Sequence, residues 1–163
     1  MNVVVHDACA LIDLLKGSLV QPWIGCGIEI HTTQLVLVEV TDEVAPLRAC
    51  GALQIRELSS TEITSLASFK RSQSALSMQD CSVLRLAQEL NAPLLTGDRD
   101  LRAVAERQGL RVHGMLWVLD TMIEQCAISK SEAVTALRLL LKAGSRFPRS
   151  ECERRLAEWE KGL

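Results

Sequence analysis

The chain has 163 residues, enough for one domain with a single core, and 48% hydrophobic against 23% charged side chains is the balance of a globular protein. That apolar content excludes intrinsic disorder. With 18 Lys and Arg against 20 Asp and Glu, the formal charge is -2, which excludes a general basic coat for nucleic acid but not a local basic patch. Aromatic residues are 3% with no Tyr, which argues against a base-stacking platform for single strands.

The opening run Val3-Val4-Val5 is β-branched and continuous, as in a strand buried on both faces. No positively charged leader precedes it and acids interrupt the apolar run after it, so neither a signal peptide nor a membrane span is expected, and the protein reads as cytoplasmic. Ala8 to Lys16 is predicted helix, with Leu11, Leu14 and Leu15 on one face and Gly17 as its stop. A loop is expected around Pro22 and Gly25, then a strand over Ile28 to His31. Thr32 or Thr33 can cap a helix running through Glu39 toward Leu47. Leu53 to Leu58 is a third short strand.

Ser59 with Glu62, and Ser77 with Asp80, have the spacing of capping boxes for the next two helices. Pro93 to Thr96 is a fourth strand, Gly97-Asp98 the turn into a helix through Ala105, and Leu110 to His113 a fifth strand ended by Gly114. Beyond it only helices are expected, with Ser129-x-x-Glu132 and Ser150-x-x-Glu153 as capping boxes. Alternating β and α elements predict an α/β fold with a central parallel sheet of about five strands and a C-terminal helical extension. Six cysteines stand at positions 9, 26, 50, 81, 126 and 152 without a C-x-x-C pair. They read as small buried hydrophobes in a reducing compartment rather than zinc ligands.

In an open parallel sheet, ligands bind beyond the C-terminal strand ends, at a switch in strand order. Asp7 follows the first strand and Asp98 the fourth, so both belong to one sheet edge, although each also sits where an N-cap is wanted. Glu39 lies on an apolar helix face with no Lys or Arg between Lys16 and Arg48, and must reach solvent, a base or a cation. Asp42 and Glu43 read as a solvated face. Asp80 suits the third position of a helix, and Asp100 is either an accessory acid or a first-turn dipole residue. Together Asp7, Glu39, Asp80 and Asp98 form a set of hard oxygen donors without His or Cys, which suits Mg²⁺ or Mn²⁺.

Val3 through Ile12, Thr33 through Glu39, Asp80 with Leu84 to Leu90, and Leu94 through Leu101 match a known family in order and spacing. On these residues the chain resembles PIN-domain ribonucleases, in particular the VapC-like toxin group and relatives with an extra C-terminal helical segment. The resemblance implies a three-layer α/β/α domain over residues 1–126 and a helical extension over 127–163 packed on it. It implies metal-dependent cleavage of RNA with Mg²⁺ or Mn²⁺, a toxin restrained by a cognate antitoxin protein, and a homodimer. Asp7, Glu39, Asp80 and Asp98 fall on its four acidic positions, catalytic and metal-binding, with Asp7 and Asp98 the principal ligands. Thr96 and Asp100 are accessory, and Arg99 and Arg102 are the expected phosphate-binding cations. The chain departs at Ala8, where many members carry Ser or Thr.

His6, His31 and His113 read as strand residues, and Trp117 and Trp159 as packing residues. Residues 1–81 carry 5 basic and 9 acidic groups and residues 82–163 carry 13 and 11, so the tail is the more basic half. Its Arg138, Lys142, Arg146, Arg149, Arg154 and Arg155 read as a solvated helix surface. A haloacid-dehalogenase-type phosphatase would need Asp-x-Asp where the chain has Asp7-Ala8-Cys9, and a receiver domain would need paired acids and a late-strand Lys. The remaining alternative is a non-catalytic PIN-fold scaffold that binds RNA or protein.

Overall fold

A computed structural model describes residues 2–40, 44–49 and 51–161. Strands β1 (Asn2–His6), β2 (Ile28–Thr33), β3 (Leu53–Arg56), β4 (Leu94–Leu95) and β5 (Val112–His113) form one sheet, all parallel, in the order β3-β2-β1-β4-β5. Helices α1 (Ala8–Lys16), α2 (Val20–Gly25), α3 (Gln34–Val40), α4 (Ala45–Ala49), α5 (Ser60–Ser72), α6 (Met78–Leu90) and α7 (Arg99–Arg107) connect the strands. Helices α8 (Met115–Glu124), α9 (Lys130–Lys142) and α10 (Arg149–Glu160) follow. The α/β fold with five parallel strands flanked by helices is thus the one the alternating pattern predicts.

Several local readings are corrected. The segment expected as a loop holds α2, because Pro22 sits in the first turn, where its missing N–H costs no hydrogen bond, and Trp23 is fully buried and anchors the turn. Thr32 and Thr33 are strand residues, not caps. The Thr32 hydroxyl donates to the His6 carbonyl at 2.9 Å, and that of Thr33 is 2.6 Å from Ser82 Oγ. Of the helix expected to run on toward Leu47, the described parts are α3 up to Val40 and α4 from Ala45, and Asp42 and Glu43 lie outside the described residues.

The capping boxes at Ser59, Ser77 and Ser129 form as their spacing predicts. That at Ser150 does not. Pro148, with φ -59°, occupies the N-cap position of α10, so Ser150 is already inside the helix. Glu153 instead accepts from Arg149 Nε at 2.7 Å. Cys26, Cys81 and Cys152 are buried as expected, whereas Cys9 and Cys126 are exposed and Cys50 lies outside the described residues.

Two features of this fold position the site. Strand order reverses between β1 and β4: the chain moves from β1 to β2 on one side and later inserts β4 on the other. A crevice therefore opens beyond the strand ends at that point. In addition, α9 packs on α1 and α8, and α10 on α9, so the C-terminal helices share the core that carries the sheet. Leu137, Leu140, Cys152 and Trp159 are buried in that contact.

Candidate functional site

Strand register brings the first pair of residues together. Val5 is level with Leu94 and His6 with Leu95, so one step further Asp7 stands beside Thr96. Asp7 is buried at 4% exposure and caps α1: its Oδ1 accepts from the Ala10 amide at 2.7 Å, and the Thr96 hydroxyl donates to its Oδ2. Thr96 Oγ1 in turn accepts from the Asp98 amide at 2.9 Å, and Asp98 Oδ1 accepts from the Leu101 amide at 2.7 Å as the cap of α7. One hydroxyl thus ties the two strand ends and both helix starts together. The N-cap and ligand readings of these acids are compatible, because a carboxylate oxygen keeps a second lone pair.

Asp80 enters from α6. Its Oδ2 accepts from the amide of Ser77 at 2.8 Å and from its hydroxyl at 2.7 Å. Burial, outweighing the bonds from Thr96 and Ala10, pushes the Asp7 carboxyl up to about 6, and the charges of Asp80 and Asp98 push it the same way. The same three acids, with Asp13, raise the Cys9 thiol to about 11 after burial itself, so this exposed cysteine is a protonated thiol. No ion pair involves Asp7, Asp80 or Asp98 among the described residues.

The structure brings Asp7, Thr96, Asp98 and Asp80 together. Glu39 reaches solvent from α3, beside Val38 at 76% exposure, and is not among the charges bearing on Asp7. Asp100 is exposed in the first turn of α7, where the helix dipole favours an acid. Arg99 is exposed beside Asp98 and forms no ion pair among the described residues. Arg102 spends its donors inside the protein, on the carbonyls of Val112 and Thr96 (both 3.3 Å) and on Glu106 at 3.5 Å. Gly114 allows this, since a Cβ there would stand 3.3 Å from the guanidinium. Among the described residues no three His, Cys, Asp or Glu side chains converge on one point as a finished coordination shell. The donor set nevertheless fits a hard cation: carboxylates, one of them buried, beside a Cys9 thiol kept protonated, their charges opposed by no ion pair among the described residues.

Thr96→Val keeps the side-chain shape but removes a donor to Asp7 and an acceptor from the Asp98 amide. It is expected to cost about 2 kcal/mol, measured by urea unfolding. A variant as stable as the parent would show that the Thr96 hydroxyl does not hold the two carboxylate segments together.

A family model described as PIN domain matches residues 3–161. The chain belongs to the PIN-domain family. The match runs through the C-terminal helices as well as the sheet. A crystal structure of the protein PAE2754 from Pyrobaculum aerophilum superposes on this PIN domain with a TM-score of 0.51 at 19% identity, covering 78% of this chain and 98% of that one, a likeness of fold. No curated protein sequence matches the chain. PIN domains are nuclease-type folds that typically use divalent metals. Among the described residues of this PIN domain, no helix is long and apolar enough to cross a membrane.

Asp7, Asp80 and Asp98 carry local signals at strand ends and helix starts, and Thr96 is marked by the family resemblance. Lys16 and Arg146, which line the groove leading to Asp98, carried no such signal. Arg146 reaches it only because the segment between α9 and α10 folds back over α1, fixed by Ser145 Oγ donating to Asp13 Oδ1 at 2.5 Å.

Proposed function

We propose that this PIN domain is a metal-dependent endoribonuclease that uses Mg²⁺ or Mn²⁺ to hydrolyse RNA phosphodiester bonds. The observation that carries the reading is the buried Asp7 carboxylate, with the charges of Asp80 and Asp98 bearing on it and no ion pair to any of them among the described residues. Asp7 and Asp98 would be the principal ligands, with Asp80 binding directly or through water; the solvent-facing Glu39 is left out of the set. When bound, the ion lowers the pKa of water and stabilises charge developing on the phosphate. Thr96 holds Asp7 Oδ2 in place, Ser77 orients Asp80, and Arg99 offers a charge to the RNA backbone.

Metal loading is tested apart from turnover. Mn²⁺ at about a hundred times its dissociation constant adds about 3 kcal/mol, a rise of roughly 5 to 10 °C in Tm for a domain of this size. Asp7→Asn is expected to lose most of that rise. An unchanged melt with metal, together with no cleavage of any RNA by the unmodified protein, would favour the non-catalytic scaffold. The finer form of the proposal is a toxin whose expression arrests growth and whose cognate antitoxin protein relieves the arrest. Growth unaffected by the active protein would remove that role while leaving the nuclease.

A further inference from the structure

We propose that the segment between α9 and α10 forms half of the substrate track, with Arg146 taking an RNA phosphate next to the scissile one and Phe147 flanking the adjoining unstacked base. The proposal deepens the nuclease reading and rests on it.

Two cavities meet beside Asp98. The first, a groove of about 660 Å³, is floored by Cys9, Ile12 and Lys16 of α1 and walled by Asp98, Arg99 and Arg146. The second, about 600 Å³, has an apolar side of Met115, Leu116, Phe147 and Pro148 and a charged side that includes Arg102, Glu151 and Arg155. Asp13, Gly97, Arg99 and Arg146 belong to both, so two cations and one acid stand where the groove passes into the second cavity. A volume of this size with an apolar side, entered past Arg99 and Arg146, suits a base attached to a phosphate. A duplex keeps its bases stacked and has none to offer, so the fitting substrate is a single strand. Aromatic residues are few in this chain, yet folding places Phe147, Trp117 and His113 on the same cavity, with His113 stacked on Trp117 at 4.0 Å.

Charge pairing picks Arg146 out of the tail. Arg138 pairs with Glu160, Arg149 with Glu153, Arg154 with Glu151 and Glu158, and Arg155 with Asp120 and Glu151. Arg138, Arg149 and Arg154 form the solvated helix surface the sequence suggests, whereas Arg155, with its side chain 14% exposed, is held in the wall of the second cavity. Arg146 and Lys142 have no ion pair among the described residues, and of the two only Arg146 lines the cavities. The nearby Asp13 carboxylate, which would oppose an anion, accepts from Ser145 and is acted on by Lys16. The loop's path depends on Gly144, whose φ of +90° is a conformation that side chains disfavour.

The test measures binding of a short, fluorescently labelled, mixed-sequence single-stranded RNA by the full chain carrying Asp7→Asn, in EDTA. Cleavage of the same RNA is followed with Mn²⁺ in the otherwise unmodified protein. Arg146→Ala is expected to weaken binding about tenfold and to lower the salt slope by about 0.7, the loss of one phosphate contact on a single strand. Phe147→Ala should weaken binding about tenfold with the slope unchanged, as loss of a base contact does. Lys142→Ala, an equally unpaired cation off the groove, should leave both quantities alone. In cleavage, Arg146→Ala should raise KM with kcat little changed. Cleavage present, with Arg146→Ala binding like Lys142→Ala, overturns the track and leaves the nuclease reading standing. No metal-dependent cleavage, with binding still lost in Arg146→Ala, sinks the nuclease reading and supports the track as an RNA groove.

Discussion

Asp7→Asn is expected to lower Mn²⁺-dependent RNA cleavage by about a thousandfold, the several kcal/mol of charge stabilisation that a correctly held metal ion contributes. The substitution is chosen so that lost activity cannot be lost folding. Asn is as good an N-cap as Asp, so its side-chain oxygen can still accept from the Ala10 amide. The amide group would face Thr96 Oγ1, which already accepts from the Asp98 amide and has a second lone pair to offer. A buried charge beside two other acids is also removed, so stability at neutral pH should be equal or higher. Activity is measured on labelled RNA and folding by urea unfolding of the same preparation. Full residual cleavage by the pure variant would remove Asp7 from the mechanism.

The second large effect concerns acid stability in the metal-free protein. His6 is fully buried between Val4, whose carbonyl lies 2.8 Å from Nδ1, and Trp23, whose indole N–H donates to Nε2 at 3.1 Å. Nε2 is therefore the acceptor, and the ring is neutral. Burial lowers its pKa from 6.5 to about 3, with the charge of His31 adding to the shift and the Val4 bond opposing it. In the unfolded chain the ring takes up a proton near 6.5. Its contribution is therefore complete above pH 6.5 and lost as pH falls toward 3, about 5 kcal/mol in all.

Asp7 works in the opposite sense. Its folded pKa of about 6 lies above the ordinary 3.8, so its contribution is complete below pH 3.8 and lost as pH rises through 6, about 3 kcal/mol. Between about pH 4 and pH 6 the slopes of these two adjacent residues cancel. Asp7→Asn removes one of them. On acidification from pH 6 to pH 4 in EDTA, the variant should lose about 3 kcal/mol more stability than the parent. Urea midpoints at several pH values measure the difference, and parallel profiles for the two proteins would contradict it.

Much of this protein is legible along the chain because its signals are local. The β-branched run at Val3 to Val5, the leucines of α1 and the capping spacings at Ser59, Ser77 and Ser129 each need only nearby residues to act, and they form as written. Asp7, Asp80 and Asp98 are legible for the same reason, since each opens a helix or stands in its first turn. Local reading fails where two signals compete over a few residues. Pro148 sets the start of α10 ahead of the Ser150 box, and the buried Trp23 makes a helix of a segment that Pro22 and Gly25 mark as a loop.

The sequence alone therefore determined the α/β class, the parallel sheet and the acids at its edge, because periodicity, capping and the parallel-sheet rule are short-range constraints. Only the tertiary structure decided which charges are available. It brought Asp7, Asp80 and Asp98 within reach of one another's fields and left Glu39 in solvent. It spent Arg102 on backbone carbonyls and four tail arginines on acids, and carried Arg146 back across α1 to Asp98. Availability is a property of neighbours in space, and for Ser145 and Asp13, which hold that last contact, the neighbours are 132 residues apart in the chain.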